Sequence, residues 1–130
     1  MTGENNLQTL LANMSPKLSE EVFVFLTSSN GLSGQMQQKA LMTFRESEGM
    51  TLIIRESDAT DLPSDVSRWA LITLTIHSDL NAIGFLAEIT DKLAAAGIPV
   101  NPVSAYYHDH LFVPWEKRNE AMSILQSFNR

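Results

Sequence analysis

Between Trp69 and His77 the apolar residues Ala70, Ile72, Leu74 and Ile76 alternate with the polar Thr73, Thr75 and His77. A period of two belongs to a strand with one face buried and the other wetter, and it is incompatible with a helix. Ser78-Asp79-Leu80-Asn81 follows as a polar loop, and Ile83, Leu86, Ile89, Thr90 and Leu93 then recur at helical spacing over about 83–96. Glu88 and Lys92 stand at i, i+4 on that helix, and Gly97 falls where a left-handed C-terminal residue belongs.

Ile98 to Tyr107 reads as a second strand. Pro99 and Pro102 deny it two ladder donors, so it belongs at an edge or carries a bulge near Asn101. His108-Asp109 is the expected reversal, and His110 to Val113 returns as a third strand ending at Pro114. Ala121, Met122, Leu125 and Phe128 stripe a last helix over about 116–128, with Trp115 placed to act as a hydrophobic staple. This β-α-β-β-α order lacks only the final strand of the α+β, ferredoxin-like βαββαβ unit, an antiparallel sheet with helices on one face.

The first half is shorter of signals. Leu7, Leu10, Leu11 and Met14 predict a helix over 5–14, capped by Asn5 or Asn6 and stopped by Pro16. Val22 to Leu26 is a buried strand by its β-branched and aromatic content, and it is the candidate for the missing last strand. Ser28 to Gly34 is a loop. Residues 39–56 fit either period: Met36, Ala40 and Phe44 suit a helix, whereas Met42 and Phe44, then Met50, Leu52 and Ile54, suit a hairpin turning at Glu48-Gly49. The hairpin is the expectation. Asp58 to Asp65 is the polar connector, dividing the chain into domains 1–65 and 66–130.

Composition narrows the function. The 130 residues carry 9 bases and 15 acids, a net charge of −6, with no basic cluster larger than Lys117-Arg118. Nucleic acid and anionic membrane are therefore poor partners. Without cysteine there is no thiol nucleophile, no cysteine zinc site and no disulfide, which fits a reducing, cytoplasmic setting. No leader and no apolar run of membrane-spanning length is visible. Nothing has the form of a nucleophile elbow, a phosphate loop or a pair of catalytic carboxylates, so no catalytic residue, metal or cofactor is assigned.

The stretch WALITLTIHSDLNAIGFLAEITDKLAAAGIPVNPVSAYYHDHLFVP, with Asp109-His110 and Val113-Pro114 at its end, resembles the ACT domain, a small regulatory module. More narrowly it is similar to small stand-alone bacterial proteins of two ACT-like subdomains, and to the ACT repeats of CASTOR arginine sensors and aspartokinase regulatory regions. FRESEGMTLII matches loosely. The ligand loop departs from the usual pattern, reading Ala82-Ile83-Gly84.

The resemblance implies two subdomains sharing strands, a degenerate one over 1–65 and an ACT domain over 66–130. It also implies a non-catalytic, dimeric sensor binding a small amino acid where ACT domains meet. The arginine-sensor pattern touches Ile83, Gly84, Tyr106 and Asp109. Ser78, Asn81 and Asn101 add neutral polar groups nearby.

Physical chemistry supports such a loop, because N–H groups at a helix start favour a carboxylate and Gly84 lets a ligand approach the backbone. Each residue also has a plainer role. Gly84 serves close packing, Ser78 and Asn81 serve as caps, Asp109 as a turn residue and Asn101 as a bulge, while at most one of Tyr106 and Tyr107 faces a pocket. Two other functions stay open: a ligand-free dimerisation or docking module, and a metal enzyme using His77, Asp79 and His108 or His110 as two histidines and a carboxylate.

Overall fold

The structure, a computed structural model, describes residues 6–28, 34–76 and 82–129. In chain order the elements are α1 (Leu7–Asn13), β1 (Ser15–Ser28), α2 (Gly34–Lys39), β2 (Met42–Arg45), β3 (Met50–Arg55), β4 (Trp69–Thr75), α3 (Phe85–Ala95), β5 (Asn101–Ser104), β6 (Asp109–Pro114) and α4 (Arg118–Gln126). They form two units, a larger one of Met1–Glu20 with Ala70–Arg130 and a smaller one of Glu21–Trp69. The strand β1 runs from one into the other.

In the larger unit the period-two signal holds. Ala70, Ile72 and Leu74 are fully buried, joined by Leu111 and Val113 of β6 on the same core. Against them α3 lays Phe85, Ile89 and Leu93, spaced i, i+4, i+8, and α4 lays Ala121 and Leu125. The stripe begins at Phe85, not Ile83. Gly84 at φ +88 turns the chain before the helix and leaves Ile83 88% exposed. Thr90 likewise turns away, its hydroxyl donating to the carbonyl of Leu86 at 2.9 Å. Lys92 places its ammonium 5.4 Å from the centre of the Phe128 ring.

The end of α3 follows the expected left-handed cap. Gly97 has φ +77, its N–H donates to Ala94 at 2.9 Å, and that of Ile98 donates to Leu93 at 3.1 Å.

The β5–β6 hairpin pairs Asn101 with Phe112 through Ser104 with Asp109. Its reversal therefore falls on Tyr106-Tyr107, two residues before the expected His108-Asp109, and Asp109 already lies in the ladder. The Ala105 N–H donates to the His108 carbonyl at 3.0 Å, so odd residues of β5 face β6 and even ones face outward. Pro102 is thus at an outward position, where its missing N–H costs no ladder bond. β5 is an edge strand, as its prolines suggested.

The strand missing after α4 comes from the start of β1. Asn6 caps α1 by accepting the Thr9 N–H at 3.0 Å, and Asn129 donates to the carbonyls of Met14 and Ala12, at 2.7 and 3.1 Å, at its other end. The turn Ser127–Asn129 after α4 is thereby tied to the point where β1 begins. From there Ser15 to Glu20 lies beside β4, the Thr75 hydroxyl donating to the Ser15 carbonyl. The strand that Val22–Leu26 was expected to supply is supplied by the residues just before it. Pro16 is tolerated because it stands at the strand's start. Before α4, Trp115 packs against the core that holds Ala121 and Leu125 and also stacks under the Arg118 guanidinium at 3.8 Å.

In the smaller unit β1 pairs with β3 from Phe23–Arg55 to Ser28–Met50, and β2 pairs with β3 from Met42–Ile53 to Arg45–Met50. The hairpin expectation holds, with Ser47-Glu48 at the tip: Glu46 and Gly49 exchange N–H···O bonds of 3.0 and 3.3 Å. The short helix α2 covers this hairpin, burying Met36 against Val24, Leu52 and Ile54. Arg55 bridges Glu21 at 3.0 Å and Asp58 at 2.7 Å, and Trp69 tilts against Phe25 with ring centres 5.7 Å apart. The class is α+β and ferredoxin-like. Among the described residues no helix is long and apolar enough to cross a membrane.

Candidate functional site

β4 delivers the chain to Ile76, and the His108 ring nitrogen Nδ1 lies 3.3 Å from the Ile76 carbonyl. That contact brings the β5–β6 turn to the same end of the larger unit at which α3 begins. His77, Ser78, Asp79 and Asn81 lie outside the described residues. Beyond them Gly84 is the N-cap of α3 and, lacking a side chain, offers no cap to the first-turn N–H groups of Phe85, Leu86 and Ala87. A Cβ on Gly84 would stand 3.7 Å from Leu7 Cδ2, ordinary contact, so the residue's requirement is its φ and not close packing.

The turn opposite presents Tyr106 and Tyr107, each 64% exposed and packed edge to face at 4.9 Å. Their rings leave apolar surface in water, and N–H groups at a helix start such as that of α3 favour an anionic group. Ile83, Gly84 and Tyr106 are therefore the expected site residues that the fold gathers at one end. Asn101 is not among them, since it pairs with Phe112 at the far end of β5. Asp109 is buried and accepts the Ser104 hydroxyl at 2.6 Å, so its carboxylate fastens the hairpin it was expected to decorate.

Sequence reasoning missed Ser104, whose partnership with Asp109 depends on a register that composition does not encode. It also missed Thr73, whose hydroxyl sits 2.9 Å from His110 Nδ1. His110 is held below the ordinary histidine pKa, first by burial and then by the neighbouring His108, with Asp109 opposing. The two rings are 6.4 Å apart. No group of three or more histidine or carboxylate residues placed to hold a metal occurs among the described residues.

Two surface grooves lie elsewhere. One of about 440 Å³ runs between Ala87, Thr90, Asp91 and Ala94 of α3 and the 98–100 segment. Another of about 330 Å³ is bordered by Glu21, Lys39, Leu41 and Arg55. Neither contains an expected site residue.

A ferredoxin-like unit with its last strand borrowed from β1, joined to a second β-α-β-β unit, defines a double module of the α+β class. Two profiles described as the ACT domain match the chain, one over residues 2–69 and the other over 66–127. The chain belongs to the ACT domain family, and a regulatory, ligand-binding role in general comes with it. Among solved structures it is similar to a Vibrio cholerae protein of unknown function described as a possible transport protein. The two share 39% identity over 95% of this chain and 96% of that one, with a TM-score of 0.83.

Two more distant structures share the fold. An Agrobacterium tumefaciens protein has 16% identity, 89% of each chain covered and a TM-score of 0.68. The ligand-free regulatory subunit of aspartate kinase from Thermus thermophilus has 9% identity, with 90% and 97% covered and a TM-score of 0.61. No curated protein sequence matches the chain.

Proposed function

We propose that this protein is a non-catalytic cytoplasmic sensor of a small amino acid, built of two ACT repeats over 1–65 and 66–130 and acting as a homodimer. The observation that carries the reading is Gly84, left-handed and uncapping at the start of α3, with exposed Ile83 beside it and the Tyr106-Tyr107 turn at the same end of the unit. The ligand carboxylate meets the first-turn N–H groups of α3, where the helix dipole favours negative charge. The apolar part of the ligand covers Ile83 or a tyrosine. Binding then biases subunit geometry to the extent that the two arrangements differ in affinity.

A thermal-shift screen of the twenty amino acids, with and without chelator, tests it. A ligand at about 100 times its Kd adds ~2.7 kcal/mol, which for a chain of this size raises Tm by roughly 10 °C. One amino acid giving that shift, indifferent to chelator, is the expected result. No shift with any of the twenty would defeat the sensor and leave a ligand-free docking module. A fall in Tm with chelator alone would point to metal at His77, Asp79 and His108 or His110.

A further inference from the structure

His108 and His110 stand two residues apart where the chain enters β6, so their rings share one face of the hairpin, opposite the core face of Leu111 and Val113. Asp109 between them points the other way, to Ser104. The ring centres are 6.4 Å apart and the planes stand at 79°.

Both rings are moored to β4 and its end by the same atom. His108 Nδ1 lies 3.3 Å from the Ile76 carbonyl, and His110 Nδ1 lies 2.9 Å from the Thr73 hydroxyl. A carbonyl only accepts, so His108 Nδ1 carries the hydrogen, and Nε2 of the neutral ring is left with the lone pair. The Thr73 hydroxyl takes either role, which allows His110 the same tautomer. Neither Nε2 has a hydrogen-bond partner among the described residues. An imidazole fixed through Nδ1, with Nε2 open, is how a protein presents a histidine to a metal ion.

The spacing lets one ion serve both rings. With nitrogen–metal bonds of about 2.0–2.1 Å and each ring centre about 1.2 Å behind its nitrogen, ring centres sharing an ion are at most about 6.5 Å apart, or about 5.3 Å at a tetrahedral angle. The observed 6.4 Å falls inside that limit, and closing it by about 1 Å through side-chain rotation gives the tetrahedral distance.

The neighbouring strands select the kind of ion. Thr73 on β4 and Val103, paired with His110 on β5, bring no carboxylate to this face. Ca²⁺ and Mg²⁺ require oxygen ligands, carboxylates among them. Imidazole nitrogen instead suits zinc, nickel and copper, and the order of intrinsic affinity places Cu²⁺ first.

We propose that His108 and His110 bind one divalent transition-metal ion through their Nε2 atoms, Cu²⁺ more tightly than Ni²⁺ or Zn²⁺, with water in the remaining positions. Thr73 is a positioning residue that fixes the His110 ring from behind. The site uses neither His77 nor Asp79, and it stands apart from the amino-acid reading, since the start of α3 takes no part in it.

The test uses the full chain, prepared without a histidine tag and stripped of metal by chelator. Calorimetric titration is expected to show one equivalent of Cu²⁺, weaker Zn²⁺ and no Mg²⁺. His108→Ala and His110→Ala are each expected to weaken Cu²⁺ binding by about 100-fold or more, and Thr73→Val by about 10-fold with Thr73→Ser restoring it. His77→Ala and Asp79→Ala are expected to leave it unchanged. Electron paramagnetic resonance of the unaltered protein with one equivalent of Cu²⁺ reads the ligands without any variant, and two imidazole nitrogens are expected. A single nitrogen, or affinity that survives either histidine substitution, overturns the site. Loss of the ion in His77→Ala or Asp79→Ala overturns it in favour of two histidines and a carboxylate. The amino-acid screen, run in chelator, succeeds or fails separately from all of these.

Discussion

Replacing Gly84, Gly97 and Gly34 one at a time by alanine separates backbone strain from ligand contact. Gly84 and Gly97 have φ of +88 and +77. There an L side chain costs about 1–2 kcal/mol, offset by roughly 0.4–1 kcal/mol from the stiffer unfolded chain. Sterics add little, since the nearest atom to a Gly84 Cβ is Leu7 Cδ2 at 3.7 Å and a Gly97 Cβ meets nothing within 4 Å. The net loss is about 1 kcal/mol at each site, or roughly 3–5 °C in Tm. Gly34 opens α2 without a positive φ and with open space around it, so alanine there stabilises by about 0.5 kcal/mol.

Urea unfolding at constant m-value reads the three signs directly. Ligand affinity reads the rest, since only Gly84→Ala is expected to weaken it. Gly84→Leu adds the same strain to a larger obstruction, so it does not leave the fold untouched. A Gly84→Ala protein no less stable than the Gly34→Ala one would refute the left-handed geometry. Equal affinity losses for Gly84→Ala and Gly97→Ala would remove the α3 start from the site.

Because burial holds His110 below its ordinary pKa, the unfolded chain takes up its proton first as pH falls. Stability is therefore full above about pH 6.5, declines as pH drops through that value and levels off below the folded pKa. His110→Gln is expected to flatten that slope in a series of melts, and an unchanged slope would reassign it. Asn129→Ala removes the donor to the Met14 and Ala12 carbonyls and is expected to cost about 1–2 kcal/mol. A chemical melt showing no loss would mean that water replaces the amide at the end of α1.

Periodicity read β4 and α3 well because their buried faces are regular: Ala70, Ile72 and Leu74 in one, Ile89 and Leu93 in the other. Caps and edges were legible too, since Asn6, Gly97 and Pro102 act through local backbone chemistry. The first half of β1 was not. Ser15 to Glu21 reads SPKLSEE, polar and poor in β formers, and it is a strand only because β4 offers it an edge. The β5–β6 turn slipped by two residues for a related reason, because register is fixed across the ladder and not by His108-Asp109 themselves. The same slip hid the bond between Ser104 and Asp109. Gly84 was visible as a loop glycine, while the exposure of Ile83 needed the φ that turns it from the helix.

The strand borrowed by the larger unit also sets a timetable. The pairings of β1 with β3 and of β2 with β3 in residues Glu21–Trp69 close within a short span of chain. Ser15 to Glu20 must wait for β4, and Met14 for Asn129, a separation of 115 residues. At about 5–20 residues per second, the 60 residues between Ser15 and Thr75 are a delay of roughly 3–12 s in which that edge stands without its neighbour. Refolding is expected to be slow for the same reason, because so distant a closure is made before any bond rewards it.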